Sequence, residues 1–329
     1  MTSPGTGRPS SAISDDTDTP TVAIFAPVLS LTVTIEAGRE DGPDEIHFHP
    51  GGQGFWVARM LRHLGERPLL CGPIGGEVGP VIQGLVNLWG IDISPVGISH
   101  SSPATVHDRR SGERDLIAET SAPTLARHEL DDAYGRFLDQ ALSSRVCVVT
   151  GQSTEIVPPE TYRRLGHDLA SADVRVIGDL HGQELDAFLD GGPIDLLKVS
   201  DEDLAQDGVI AGQDEDEALT ALHDLVGRGA ASVVLSRADR PALASFSGVA
   251  YRATAPALEP ADYRGAGDSM TAGLAAAMSR GLGPEESLRL ACGAGAANVT
   301  RHGLGSASED LIPKLAARVE VETLAAVPR

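Results

Sequence analysis

Apolar residues along this chain fall into two kinds of pattern, short unbroken runs and helically spaced positions, and their order predicts most of the fold. Residues 22–29 form an apolar run that ends in a Pro-containing turn, which predicts a buried first strand. Residues 31–36 and 45–49 alternate in character across a turn-rich segment at 38–44, so they predict a hairpin in a partly exposed sheet. From Gly51 the spacing becomes helical, with Phe55, Val57, Ala58, Leu61 and Leu64 on one face and Gly65 as the stop. A strand at 69–71, a helix at 81–89 and an apolar segment at 93–98 follow. Two weakly alternating stretches, 104–109 and 114–118, turn at Ser111-Gly112 and predict strands added to the first hairpin.

The rest alternates strands and helices: strand 146–150, helix 159–171, strands 174–179 and 196–199, helix 215–226 and strand 233–236. That repetition predicts a parallel sheet with helices on both faces. Residues 243–246 and 249–253 close on Ser247-Gly248 as an edge hairpin, and two long helices, 269–280 and 284–300, complete the order. The expected architecture is α/β, in three layers around a mainly parallel sheet. Residues 20–30, 49–98 and 119–329 build the large domain, and 31–48 with 99–118 build a small β lid over the carboxyl ends of the strands. Residues 1–19 are polar and rich in Ser, Thr, Pro and Gly, and are expected to be a disordered tail.

Composition narrows the function. The net charge is -21, from 47 acidic against 26 Lys and Arg residues, with no basic stripe to neutralise a phosphate backbone, so nucleic acid is not an expected partner. No apolar run approaches the roughly 20 residues that span a bilayer, so no membrane association is expected. Cys71, Cys147 and Cys292 stand singly in apolar contexts, as buried thiols of a reducing compartment do, and the cytoplasm is the expected location. Lys198 and Lys314 are the only lysines, which singles out Lys198 at a strand end: it either faces a phosphate or is a solvated side chain.

Candidate chemistry lies in two small-residue loops that enter helices. Tyr263-Arg264-Gly265-Ala266-Gly267-Asp268-Ser269 would aim backbone N–H groups of Gly265, Ala266 and Gly267 at one spot beside a helix N-terminus, an anion site for a transferring phosphoryl group. Asp268 at its mouth could take the proton of an attacking hydroxyl; otherwise it is simply an N-cap. The second loop is Pro50-Gly51-Gly52-Gln53-Gly54-Phe55-Trp56. Neither fits GxxxxGK[ST] or the dinucleotide fingerprint, so a P-loop enzyme and a nicotinamide dehydrogenase are not expected. Trp56 could stack on a sugar face or belong to the core. Asp179 and His181 end a strand on the same side, and His47 and His49 lie in the lid; each histidine could meet substrate hydroxyls or be solvated.

These residues resemble the PfkB carbohydrate kinase family, and within it the phosphofructokinase and tagatose-phosphate kinase branch. Residues 51–58 resemble GGKGINVA, 265–268 match GAGD, 148–152 resemble the strand ending in SGS, 196–203 resemble (L/V)KPNxxE, and 233–236 resemble VVISLG. The resemblance covers nearly all of residues 21–312 and implies a ribokinase-like fold and phosphoryl transfer from ATP, with Mg2+, to a hydroxyl of a sugar or sugar-like molecule, with a hexose phosphate among the acceptors. It implies Asp268 as base with residues 265–267 as anion hole, and Ser30, Gly51, Gly52, Gln53, Trp56 and Thr150 toward the substrate, where the loss of cationic side chains leaves a substrate phosphate poorly compensated and speaks against a sugar phosphate as acceptor. Lys198, Ser200, Ser236, Asn298 and Gly303 are placed toward the nucleotide, and Asp203 indirectly toward the metal.

Departures fall mostly in the substrate site. Ser30 stands where the branch has the aspartate of NPALD, Gln53 where it often has lysine, Trp56 where it has asparagine, and residues 102–105 where it has TRTN. On the nucleotide side, Ser200 and Asp203 replace asparagine and glutamate, and Ala238 lies in an altered SLGA segment. Two functions follow as expectations: an active kinase whose lid excludes water, or a catalytically weakened ligand-binding or regulatory protein on the same scaffold. Exposed lid edges make a homodimer through the lid a further expectation.

Overall fold

Four apolar residues buried from end to end, Val22–Phe25, open the chain as β1, covered on both faces as the centre of a parallel sheet requires. The computed structural model describes residues 20–38, 42–151, 156–212, 214–301 and 303–324, so the expected tail at 1–19 lies outside the described residues. β2 (Ser30–Glu36) and β3 (Glu45–Gly51) pair antiparallel, Val33 opposite Phe48 and Ile35 opposite Ile46. α1 (Gln53–His63), β4 (Pro68–Gly75), α2 (Val78–Leu88) and β5 (Asp92–Ile98) come next. β6 (Ala104–Asp108) runs parallel to β2 and pairs antiparallel with β7 (Asp115–Thr120), which gives a separate four-stranded sheet in the order β3-β2-β6-β7.

The alternating region holds α3 (Arg127–Ser143), β8 (Val146–Thr150), α4 (Pro159–Ser171), β9 (Val176–Asp179) and α5 (Gly182–Gly191). It continues with β10 (Leu196–Ser200), α6 (Asp201–Gln206), α7 (Glu215–Gly227) and β11 (Ser232–Arg237). β12 (Arg240–Phe246), β13 (Val249–Thr254), α8 (Ala266–Arg280), α9 (Pro284–Val299), α10 (Leu311–Ala316) and β14 (Glu320–Thr323) finish the chain. The main sheet has ten strands in the order β14-β13-β12-β11-β10-β9-β8-β1-β4-β5, parallel from β11 to β5 and antiparallel beyond.

One core lies between this sheet and α1, α2, α8, α9 and α10, around Ile24, Phe55, Leu70, Leu274 and Leu288. The other lies on the opposite face with α3, α4, α5 and α7, around Phe25, Phe137, Tyr162, Leu165 and Phe188. The result is the expected three-layer α/β arrangement. α8 is buried through Ala272, Ala275, Ala276 and Ala277, and with Gly273 against Ala291 of α9 these small residues let the two helices lie close so that many weak dispersion contacts add up.

Two expectations need correction. The β12–β13 hairpin is not an edge, because β14 pairs with β13 from Tyr251 to Thr254 and takes the outer position. α8 begins at Ala266 and not at 269, with Gly265 as its N-cap. α3, α5, α6, α10 and β14 are additional to the pattern reading. In α3 the buried residues Glu129, Ala133, Tyr134, Phe137 and Ala141 do follow helical spacing, but acidic and basic residues between them dilute it.

Candidate active site

The carboxyl ends of β8, β9 and β10 and the first turns of α1, α5, α6 and α8 surround a cleft of about 620 Å³, where ligands bind in parallel α/β sheets. Of the residues singled out from sequence, it brings together Gln53, Asp179, His181, Lys198, Asp203, Gly267 and Asp268.

Gly265 takes a left-handed conformation, φ 76°, that a residue with a Cβ enters at a cost, and this turns the chain sharply into α8. The Ser269 N–H donates to the Gly265 carbonyl at 3.0 Å and the Ser269 hydroxyl donates to the same oxygen at 2.7 Å. The N–H groups of Ala266, Gly267 and Asp268 precede that first helical bond and point out of the helix end, where the dipole favours an anion. Asp268 is the third helical residue, so the N-cap alternative does not hold.

Lys198 is 5% exposed, so the solvated alternative fails as well. Its Nζ donates to Asp179 Oδ1 at 3.3 Å, and the Thr271 hydroxyl donates to Asp179 Oδ2 at 2.6 Å. Asp179 thereby fixes the ammonium from below, against the anion loop: a methyl on Gly267 would lie 2.8 Å from Lys198 Nζ. Burial works against the Lys198 charge, but Asp179, Asp268 and Asp203 outweigh it and hold its pKa above the ordinary lysine value. Burial pushes the Asp268 carboxyl up, Asp179 adds to this by repulsion, and Lys198 offsets part of it, leaving a pKa of about 7. A base with that pKa is matched to proton abstraction at neutral pH. Asp203 is held by Ser200, whose Oγ accepts from the Asp203 N–H at 3.0 Å and donates to its carboxylate at 2.5 Å.

Other residues singled out from sequence serve the frame. The Thr150 hydroxyl is fully buried and donates to the Phe25 carbonyl at 2.8 Å, while its neighbour Gly151 lines the cleft. Asn298 is likewise fully buried: its Nδ2 donates to the Arg264 carbonyl at 2.8 Å and its Oδ1 accepts from Ser306 N–H at 3.3 Å, so it ties α9 to the anion loop and is not among the cleft-lining residues. Trp56 packs against the core and is not among the cleft-lining residues. Ser236 is nearly buried and donates to the Val199 carbonyl at 3.3 Å. The Gly303 carbonyl accepts from Ser306 Oγ at 2.5 Å. Ser30 and Gly51 pair at the base of the β2–β3 hairpin, and Gly52 caps α1. Ser102 is buried, and its Oγ accepts from Gly75 N–H at 3.0 Å.

Sequence reasoning missed Thr271, Glu184 and Asp207. Glu184 and Asp207 line the cleft yet read as ordinary helix-surface acids; the one local hint is Gly182 between Asp179 and Glu184, which opens α5 toward the site. No group of three His, Cys, Asp or Glu placed to hold a metal occurs among the described residues, and no described helix is long and apolar enough to cross a membrane.

Comparison with known proteins agrees with this geometry. Residues 26–311 match the profile described as pfkB family carbohydrate kinase. The chain is 27% identical over 290 residues to ATP-dependent 6-phosphofructokinase isozyme 2 of Mycobacterium tuberculosis H37Rv, covering 86% of this chain and 85% of that protein. It is 27% identical over 281 residues to the 1-phosphofructokinase of Bacillus subtilis 168, covering 84% and 89%. Among solved structures, Escherichia coli phosphofructokinase-2 in complex with potassium superposes with a TM-score of 0.80 at 24% identity, over 91% of this chain and 99% of that one. That last likeness is one of fold, the ribokinase-like three-layer arrangement.

Proposed function

The chain belongs to the pfkB family of carbohydrate kinases, and from that premise we propose that its cleft moves the γ-phosphoryl group of ATP onto a sugar hydroxyl, with Asp268 as the base. The observation that carries the reading is a carboxyl with a pKa of about 7 in the first turn of α8, beside Gly267 and Lys198 in one cleft. Asp268 accepts the proton of the acceptor hydroxyl, and the freed oxygen attacks the phosphorus in line. The first N–H groups of α8 and the Lys198 ammonium receive the charge that collects on the transferring group.

Magnesium fits the donor set through water. It needs no cage of three protein ligands when triphosphate oxygens supply the rest, and the Asp203 carboxylate, fixed by Ser200, would hold its hydration shell. When bound it neutralises phosphate charge. The four-stranded sheet serves as a lid that keeps water from competing with the acceptor. Its exposed Ile46 and Phe48 lie on one face, opposite Ile35 and Val33, and support pairing of two chains through the lid. The three buried free thiols and the absence of a membrane-crossing helix among the described residues support a cytoplasmic enzyme. Coexistence of Asp268, Lys198 and Asp203 in the cleft disfavours the catalytically weakened regulator.

Transfer of label from γ-32P-ATP to D-fructose 6-phosphate, D-fructose 1-phosphate, D-tagatose 6-phosphate or the free sugars tests the reading. Asp268→Asn is expected to lower kcat at least ~10²-fold, the lower end of the range for loss of a general base, with nucleotide binding retained. Equal transfer by the variant would remove Asp268 from the mechanism.

A further inference from the structure

On one side the anion loop faces Lys198 of β10, and on the other it rests on the residues that follow α9. A methyl on Gly265 would lie 3.2 Å from both the Gly305 nitrogen and the Leu304 Cα, so at that point backbone lies on backbone. Residues 303–305 belong to no helix or strand, and Gly303 and Gly305 take positive φ values, 154° and 63°. A segment of this kind has little stiffness of its own and is held from outside. Asn298 holds its far end through the Ser306 N–H at 3.3 Å. Arg59 of α1 holds its middle, Nη1 donating to the Leu304 carbonyl at 3.0 Å.

Arg59 is held there at a cost. Its guanidinium lies over the Trp89 ring, 4.0 Å from the centroid, while its Nε has neither an acceptor nor access to solvent. Burial and the nearby Arg301 lower its pKa to about 10, which leaves it cationic at neutral pH. A partly buried charge with an unmet donor works against folding, and an apolar side chain of similar length would fill the space without that penalty. What the contact does control is geometry. α1 begins at Gln53, a cleft residue, fewer than two turns before Arg59. A methyl on Gly305 would lie 2.3 Å from the Trp56 carbonyl, again backbone on backbone. α1, residues 303–305 and the anion loop thus form one stack, with no side chain between the contacting backbones to absorb a shift.

We propose that Arg59 is a positioning residue: by gripping the Leu304 carbonyl it fixes the anion loop relative to the start of α1, and so sets the distance between the two sides of the cleft across which the phosphoryl group moves. The proposal rests on the kinase reading of the cleft. Arg59 is not among the cleft-lining residues and acts through Leu304, Gly305 and Gly265. Lysine would not replace it, because a planar guanidinium can lie on an indole and donate sideways to a carbonyl at once, whereas a compact ammonium serves one or the other.

ADP formation by the full chain is measured with D-fructose, D-tagatose and their 1- and 6-phosphates, and the sugar with the highest kcat/KM is carried into Arg59→Lys and Arg59→Met, with folding checked by circular dichroism at the assay temperature. The expected result is a kcat lowered at least ~10-fold in both, with the KM values for ATP and sugar within about threefold of the parent chain, because a misplacement of about 1 Å is paid in rate and not in ground-state binding. Inhibition by ADP with aluminium fluoride, a mimic of the transferring group, is expected to weaken at least ~10-fold while the Kd of ADP alone stays within about threefold, a split that a merely structural contact would not produce. Trp89→Leu removes the surface on which the guanidinium lies and keeps both hydrogen-bonding partners; it is expected to lower kcat at least ~3-fold and keeps the test available should the Arg59 variants fold poorly. A kcat within about twofold of the parent in the folded variants overturns the proposal, and so does a loss shared equally by ADP and its aluminium fluoride complex. Failure of the kinase reading looks different, since no sugar of the panel would then give ADP above the Asp268→Asn background.

Discussion

An acid shut away from water beside other acids keeps its proton to unusually high pH, and for Asp268 this has a cost in stability as well as a use in chemistry. Its folded pKa, about 7, lies above the ordinary aspartate value of 3.8. The group therefore contributes stability below about pH 4 that is lost as pH rises through about 7. Asp268→Asn removes the ionisation, so it should stabilise the protein by roughly 1–4 kcal/mol at pH 8 and little at pH 4. Thermal unfolding at the two pH values checks this, and a variant less stable than the parent at pH 8 would contradict it. Asp268 and Lys198 were both legible in the sequence, one from its small-residue loop and the other from the scarcity of lysine. The roles of Thr150 and Asn298 were not, because a hydroxyl or amide spent on a distant backbone group looks the same in sequence as one that meets a ligand.

Elements here place chemistry by where they begin. α8 starts two residues before Asp268, and α5 starts two residues before Glu184, so both acids stand in first turns at the cleft. At Gly267 the first turn of α8 faces the Lys198 side chain of β10. Alanine there suits the helix, which favours it over glycine by up to ~1 kcal/mol, but its methyl would displace the ammonium that Asp179 holds. Gly267→Ala should therefore leave the melting temperature within a few degrees while kcat falls at least ~10-fold. Unchanged kcat would mean that Lys198 is not positioned by that contact. Long periodic segments such as α1, α4 and α9 could be read from sequence. The short β14 could not, since four residues carry too little periodicity to announce a strand, and it was this strand that displaced the β12–β13 hairpin from the edge.

At the scale of the whole molecule, charge and the lid work against each other. A net charge of -21 makes two chains repel, while Ile46 and Phe48, 58% and 50% exposed, give the outer face of the lid an apolar patch. Pairing through that face should tighten as salt screens the repulsion, and Phe48→Glu should abolish it. Light scattering after size exclusion at low and high NaCl would show this; a Phe48→Glu protein that remains dimeric would place the contact elsewhere. The separate four-stranded sheet could be anticipated because its two strand pairs alternate in sequence, whereas which apolar side chains share its exposed face depends on register and so emerged only with the structure.

The central claim, that Asp268 is a base poised near neutrality, is tested most directly by the pH dependence of kcat/KM for the best sugar acceptor. kcat/KM should fall tenfold per pH unit on the acid side of an apparent pKa near 7, and Asp179→Asn, by removing a neighbouring carboxylate, should move this limb to lower pH. A profile flat from pH 8 down to about pH 5, or a limb unmoved in Asp179→Asn, would contradict it.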